Sequence, residues 1–154
     1  MKILFVSSEC APFSKSGGLA DVAFSLPPAL QKTGDELTIV IPMYRVTQEN
    51  YGDQFSLIKT CVIHLGQRQL SCALYRGELN GVTVYAIGNE HLFHRPRLYG
   101  YGDDSLRFAF FCRAVIDLLP EFGDLKTKMS PEGLCVCFFQ RFRSKFLRTE
   151  YPPA

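Results

Sequence analysis

The chain has 154 residues, 47% of them apolar and 21% charged, with a formal net charge of +2. That balance excludes a disordered chain and fits one globular domain with a sizeable core. It gives no electrostatic case for nucleic acid or an acidic membrane surface, and no apolar window is long enough for a membrane span or shaped like a secretory leader, so a cytoplasmic protein is expected.

In chain order, Lys2 to Ser7 is a near-continuous β-rich apolar run, which predicts a strand buried on both faces and hence a parallel sheet. A loop over 9–17 contains Pro12 and ends in glycine. Leu19, Val22, Ala23, Leu26 and Leu30 then recur at helical spacing. Pro27 and Pro28 predict a kink or restart in that helix, and Gly34 is a candidate C-cap. Leu37 to Ile41 predicts a second buried strand ended by Pro42, completing a β-α-β unit. The middle is strand-rich: Phe55–Leu65, Leu70–Tyr75 and Val82–Ile87, with Asn80-Gly81 as a hairpin signal. This reads as an antiparallel excursion along the sheet edge. Residues 91–102 form a loop of aromatics, arginine and glycine. Asp103 or Asp104 is placed to cap a mostly apolar helix over 105–119, stopped by Pro120. Beyond 124 the pattern weakens to a polar loop, a possible strand at Leu134–Phe139 and a basic-aromatic stretch that reads as a solvated end.

Six cysteines, Cys10, Cys61, Cys72, Cys112, Cys135 and Cys137, sit mostly in apolar runs and read as free thiols. Their spacing matches neither zinc nor redox motifs, and His91 and His94 lack further ligands, so no metal is expected. His64, inside an apolar run, reads as a packed histidine.

The feature with chemistry in it is Lys15-Ser16-Gly17-Gly18-Leu19-Ala20-Asp21-Val22. Adjacent glycines after a first strand allow close backbone approach, free amides at a helix start favour phosphate oxygens, and Lys15 adds a mobile positive charge. It is neither a dinucleotide fingerprint nor a Walker loop. From the residues alone two readings stay open: a phosphate cradle, or a tight strand-to-helix turn with a surface lysine. Glu9 either orients this loop or faces solvent.

The chain resembles the N-terminal part of bacterial glycogen synthases and plant starch synthases, retaining glucosyltransferases of the two-domain GT-B type. That family opens with a strand, Ser/Ala-x-Glu, a proline loop and Lys-Thr/Val-Gly-Gly-Leu-Ala/Gly-Asp-Val. Here stand Ser8-Glu9-Cys10-Ala11-Pro12 and Lys15 through Val22, with Ser16 in the variable place. Leu26 to Leu30, Val40 to Tyr44, Gly77 to Ile87, Phe93 to Pro96, Leu98 to Gly100 and Asp103 to Phe111 are similar to further family stretches. The resemblance covers residues 1–123. It implies an α/β, Rossmann-like N-terminal domain of a GT-B glycosyltransferase, incomplete, with a strand-rich insertion. It implies ADP-glucose, or another nucleotide-glucose as in plant-like relatives, as donor substrate, the non-reducing end of an α-1,4-glucan as acceptor, and no cofactor or metal. Lys15, Gly17 and Gly18 would lie at the donor diphosphate. Asp21 would lie near sugar hydroxyls, and Tyr99, Tyr101 and Asp103 in a loop facing the acceptor.

The chain also departs from the family. After the 105–119 helix the family reads Pro-Asp-(Ile/Val)-(Ile/Val)-His-x-(His/Asn)-Asp-Trp, but here there is no tryptophan and no histidine after His94. No complete catalytic set is present. Residues 124–154 read as a tail that is either divergent or frame-disrupted, and Lys145 to Pro152 is similar to a family segment beyond the missing histidine. A sheet without its later strands is expected to leave an apolar face of the 105–119 helix exposed. The leading expectation is a synthase fragment inactive alone. The alternatives are a non-catalytic glucan-binding module and a half-enzyme that pairs with a separately encoded C-terminal half.

Overall fold

The computed structural model describes residues 2–122 and the backbone of 134–139. Its strands are β1 (Lys2–Ser7), β2 (Glu36–Pro42), β3 (Ser56–Leu65), β4 (Arg68–Leu79), β5 (Val82–Gly88) and β6 (Leu134–Phe139). Its helices are α1 (Gly18–Gln31), α2 (Arg45–Tyr51), α3 (Glu90–Phe93) and α4 (Asp104–Asp117). One six-stranded sheet runs β3-β4-β5-β2-β1-β6. Its inner part, β5-β2-β1-β6, is parallel, and β3 and β4 form the antiparallel excursion.

The continuous apolar strands are buried on both faces, because alternate residues enter separate cores. Ile3, Phe5, Ile39 and Ile41 join Ala23 of α1 on one face, while Leu4, Val6 and Val40 join Phe110, Phe111 and Ala114 of α4 on the other. Both hairpins use two-residue loops. Asn80 (φ 51°) and Gly81 (φ 81°) are both left-handed, as a type I′ turn requires, and Gly66 (φ 60°) opens the β3–β4 turn.

Several expectations are corrected. The α1 helix continues through Pro27 and Pro28, so there is no restart. Proline's fixed φ is helical, so the two rings remove two hydrogen bonds near the helix end while buried Pro27 stays packed. Its C-cap is Lys32, and the left-handed turn at Gly34 comes two residues later. A short helix, α3, opens the predicted 91–102 loop, and the sequence pattern predicts no helix at α2. Asp103 stands at the N-cap of α4, but its side chain accepts no capping bond from the helix, because its carboxylate is held by Arg95. The α4 helix ends at Asp117, and Pro120 falls in a 3₁₀ turn, Leu119–Glu121. Its apolar face is covered: Phe108, Phe110, Phe111, Ala114, Val115 and Leu118 are buried, and Ile116 is its one strongly exposed large apolar residue. His64 is exposed rather than packed, since strand alternation turns Ile63 inward instead. Leu134–Phe139 is a strand and takes the sheet position beside β1. The basic-aromatic stretch after it lies outside the described residues, as do the side chains of Cys135 and Cys137.

Candidate functional site

The topology itself marks a site. From β1 the chain crosses to β2 and β5 on one side, while β6 pairs with β1 on the other. In parallel sheets ligands bind beyond the C-terminal ends of the strands, where the strand order reverses. At that end of β1 stand Ser7, Ser8 and Glu9, followed by the glycine loop.

The loop is pinned by its own backbone, with Cys10 and Ser14 exchanging two bonds (3.1 and 2.9 Å) and Ala11 N–H donating to the Ala20 carbonyl (3.1 Å). Glu9 then fixes its far side. This carboxylate, 1% exposed, accepts from the Ser16 N–H (2.6 Å) and the Ser16 hydroxyl (2.8 Å). It also accepts from the Tyr99 hydroxyl at 2.8 Å, across 90 residues of sequence. Of the two readings of Glu9, the orienting one is what the structure has. Charge-assisted bonds of this kind are the strong ones, so Glu9 ties the glycine loop to the tyrosine loop.

Tyr99 sits over the sheet end with its ring against Tyr44 and Phe108 (centroids 6.5 and 5.7 Å). Its hydroxyl also approaches Ser8 Oγ (3.0 Å), and Tyr44 donates to the Ser8 carbonyl (3.0 Å). Burial raises both phenols above their ordinary range, so both remain neutral donors.

Gly17 is the extended N-cap of α1 and makes no side-chain cap, which leaves first-turn amides of the helix without a side-chain acceptor. A Cβ added at Gly18 would meet nothing within 4 Å. Packing therefore does not call for glycine at this position, whereas a ligand approaching the backbone closely would. Lys15 is not a free cation: its Nζ lies 2.6 Å from Asp21 Oδ1, with both side chains more than half exposed.

Tyr101 and Asp103 serve the scaffold beside this loop. The Tyr101 ring lies under the guanidinium groups of Arg95, Arg97 and Arg107 (4.9, 5.2 and 5.0 Å), and its hydroxyl accepts from the Arg97 N–H. Asp103 accepts two bonds from Arg95 (2.6 and 2.7 Å), which holds its carboxyl below the usual range. Arg107, fully buried in α4, donates to the Leu92 and Leu98 carbonyls and to Asp104. Its Nη2 has no hydrogen-bond acceptor, and the aromatic faces of Phe93, Tyr101 and Phe108 around the guanidinium supply the compensating attraction.

The predicted residues thus fall into two groups. Lys15, Gly17, Gly18 and Asp21 share the start of α1, and Tyr99 reaches the same loop through Glu9. Tyr101 and Asp103 brace the loop that carries Tyr99. Sequence reasoning missed Arg107, Arg95 and Tyr44. An arginine amid Phe108, Phe110 and Phe111 was the available signal for a buried guanidinium. Among the described residues no three His, Cys, Asp or Glu side chains are grouped to hold a metal ion, and no helix is long and apolar enough to cross a membrane.

On the opposite side of β1, β6 brings Phe138 opposite Val6 and Phe139 opposite Ser7. The point beside β1 where the strand order reverses is therefore bordered by a strand whose sequence, Leu-Cys-Val-Cys-Phe-Phe, contains no histidine or carboxylate.

The family model for the starch synthase catalytic domain matches residues 2–131. Glycogen synthase from Bacillus cytotoxicus is 46% identical over 120 residues, covering 78% of this chain and 25% of that protein. Glycogen synthase from Geobacillus stearothermophilus is 44% identical over 121 residues, with 79% and 25% covered. The solved catalytic domain of starch synthase IV from Arabidopsis thaliana, bound to ADP and acarbose, superposes with a TM-score of 0.70 at 25% identity, over 88% of this chain and 33% of that one. The chain spans about a quarter of the length of the curated relatives it matches. By its sequence and its fold, the chain belongs to the glycogen/starch synthase family of glycosyltransferases.

Proposed function

We propose that residues 1–123 form one wall of the cleft of a retaining glucosyltransferase, which moves glucose from ADP-glucose to the non-reducing end of an α-1,4-glucan. We propose also that this chain transfers no glucose by itself. The observation that carries the reading is the glycine loop at the C-terminal end of β1, held by Glu9 and leaving open space at Gly18. The ADP bound to the Arabidopsis starch synthase supports an adenine nucleotide as donor.

In this reading the Gly17 and Gly18 backbone lies against the donor diphosphate, with first-turn amides of α1 donating to its oxygens. Lys15 exchanges Asp21 for phosphate. Exposed ion pairs are worth about 0–1 kcal/mol, so little opposes the exchange. Asp21 is then free for sugar hydroxyls. Tyr99 acts through Glu9, and Tyr101 and Asp103 stiffen the acceptor side. As the bond from C1 to the diphosphate breaks and the bond to the glucan oxygen forms on the same face, the lysine and amides stabilise the charge that develops on the diphosphate. No metal or cofactor enters this scheme.

A GT-B cleft closes between two domains, and one wall alone lacks the donor's remaining contacts and the family histidine, for which β6 offers no substitute. Incubating the purified chain with radiolabelled ADP-glucose and glycogen is expected to incorporate no glucose, and measurable incorporation would overturn the proposal. We read residues 124–154 as a tail divergent from the family. Its coding DNA, read in the other two frames, is expected to contain the histidine strand, and the absence of that strand from all frames counts against a frame disruption.

A further inference from the structure

We infer that Cys61 and Cys72 form a reversible cross-strand disulfide that locks the edge hairpin. Cys61 lies in the outermost strand, β3, directly opposite Cys72 in β4. The register is unshifted from Lys59↔Leu74 to Leu65↔Arg68, and the tight Gly66-Gln67 turn closes it. Opposed residues of an antiparallel pair project to the same face, with Cα atoms about 4.5–5.5 Å apart. That separation falls within the roughly 4.4–6.8 Å that a disulfide spans. Both thiols are free in the structure. Cys72 is buried in the core under α4, and half-buried Cys61 packs against the same cluster from the sheet edge.

The two positions divide the chemistry. Burial first, and then Cys61 itself, push the Cys72 thiol up to about 12, so the more accessible Cys61 reacts first. Its thiolate attacks one sulfur of a small-molecule disulfide such as oxidised glutathione, forming a mixed disulfide and releasing one glutathione thiolate. Cys72 then loses its proton and attacks the Cys61 sulfur, expelling the second glutathione. Two protein thiols are oxidised, one glutathione disulfide is reduced to two thiols, and the protons leaving the cysteines end on glutathione.

The hairpin so locked supports the tyrosine loop. Ser71, next to Cys72, accepts a bond from Asn89 Nδ2 (2.7 Å), and Asn89 Oδ1 caps α3 at the Leu92 N–H (2.9 Å). The Leu92 carbonyl in turn holds Arg107 Nε.

The test equilibrates the purified chain in glutathione buffers from reducing to oxidising, quenches with acid, alkylates with N-ethylmaleimide and maps the peptides by mass spectrometry. The expected result is a linked Cys61–Cys72 peptide pair two hydrogens lighter, with both thiols protected together and released by dithiothreitol. Hydrogen exchange of β3 amides in the oxidised chain is expected to slow by about tenfold. In Cys61→Ser, Cys72 should remain a thiol at the same buffer ratio. Two alkylated thiols at the most oxidising ratio, a mixed disulfide on Cys61 that never closes, linkage of either residue to Cys112, or unchanged β3 exchange would each overturn the inference.

Discussion

Replacing Tyr99 by phenylalanine removes one oxygen and leaves the rest of the residue in place, since the ring keeps its contacts with Tyr44 and Phe108. The lost hydroxyl donates to Glu9 Oε1 at 2.8 Å and lies 3.0 Å from Ser8 Oγ. A hydrogen bond to a charged acceptor contributes about 1.5–3 kcal/mol, and a buried carboxylate short of a donor keeps its desolvation cost. We expect Tyr99→Phe to cost about 2 kcal/mol, roughly a 30-fold fall in the folding constant. Glu9→Gln keeps the side chain's shape and removes its charge. The double variant should cost less than the sum of the singles by about 1 kcal/mol or more, because both changes weaken one network. Urea denaturation at constant m-value reads the energies. Hydrogen exchange at Gly17 and Gly18 should quicken in both single variants, as the Ser16 anchor loosens. An unchanged midpoint for Tyr99→Phe, or single effects that add within about 0.5 kcal/mol, would refute the claim that Tyr99 holds the glycine loop through Glu9.

Two glycines should behave in opposite ways. A Cβ at Gly77 would come within 2.9 Å of the Gln54 carbonyl oxygen and the Phe55 ring, so Gly77→Ala should lower stability by about 1–3 kcal/mol in the same urea assay. Gly18→Ala meets nothing and should leave the midpoint unchanged or slightly raised, while removing transfer once the wall is part of a complete enzyme. Arg107→Met strands the Leu92 and Leu98 carbonyls and the Asp104 carboxylate, and should cost about 3–5 kcal/mol by urea denaturation. Asp103 titrates below its ordinary value because Arg95 bonds it. Its contribution to stability is therefore present above the unfolded carboxyl value and lost as pH falls through the folded one. Stability measured against pH should show that acid-side loss in the parent chain and less of it in Asp103→Asn.

What was legible in the sequence was whatever repeats locally. The β1 and β2 runs are apolar at every step because both faces are covered, and Asn80-Gly81 announced a turn that needs two left-handed residues. Helices α2 and α3, of seven and four residues, are too short to show a helical period. The prolines misled because a helix near its end tolerates their missing bonds when the side chains pack. In the site, Lys15 to Val22 was readable as an element, but its ion pair and its anchor were not. Glu9 finds Tyr99 only because α3 and α4 fold the later loop back over β1, and no spacing in the chain encodes a contact across 90 residues. Arg107 sits in a helix that reads as apolar, and two of its three acceptors are the backbone carbonyls of Leu92 and Leu98, which leave no signature of residue type.

The central claim is that residues 2–122 form one wall of the donor cleft. The most direct measurement grafts these residues in place of the aligned segment of the Bacillus cytotoxicus glycogen synthase, 46% identical to this chain, and follows labelled glucose passing from ADP-glucose into glycogen. The account predicts that the folded chimera transfers glucose and that Gly18→Ala within it abolishes transfer. A folded chimera that transfers none, or one indifferent to the change at Gly18, would contradict it.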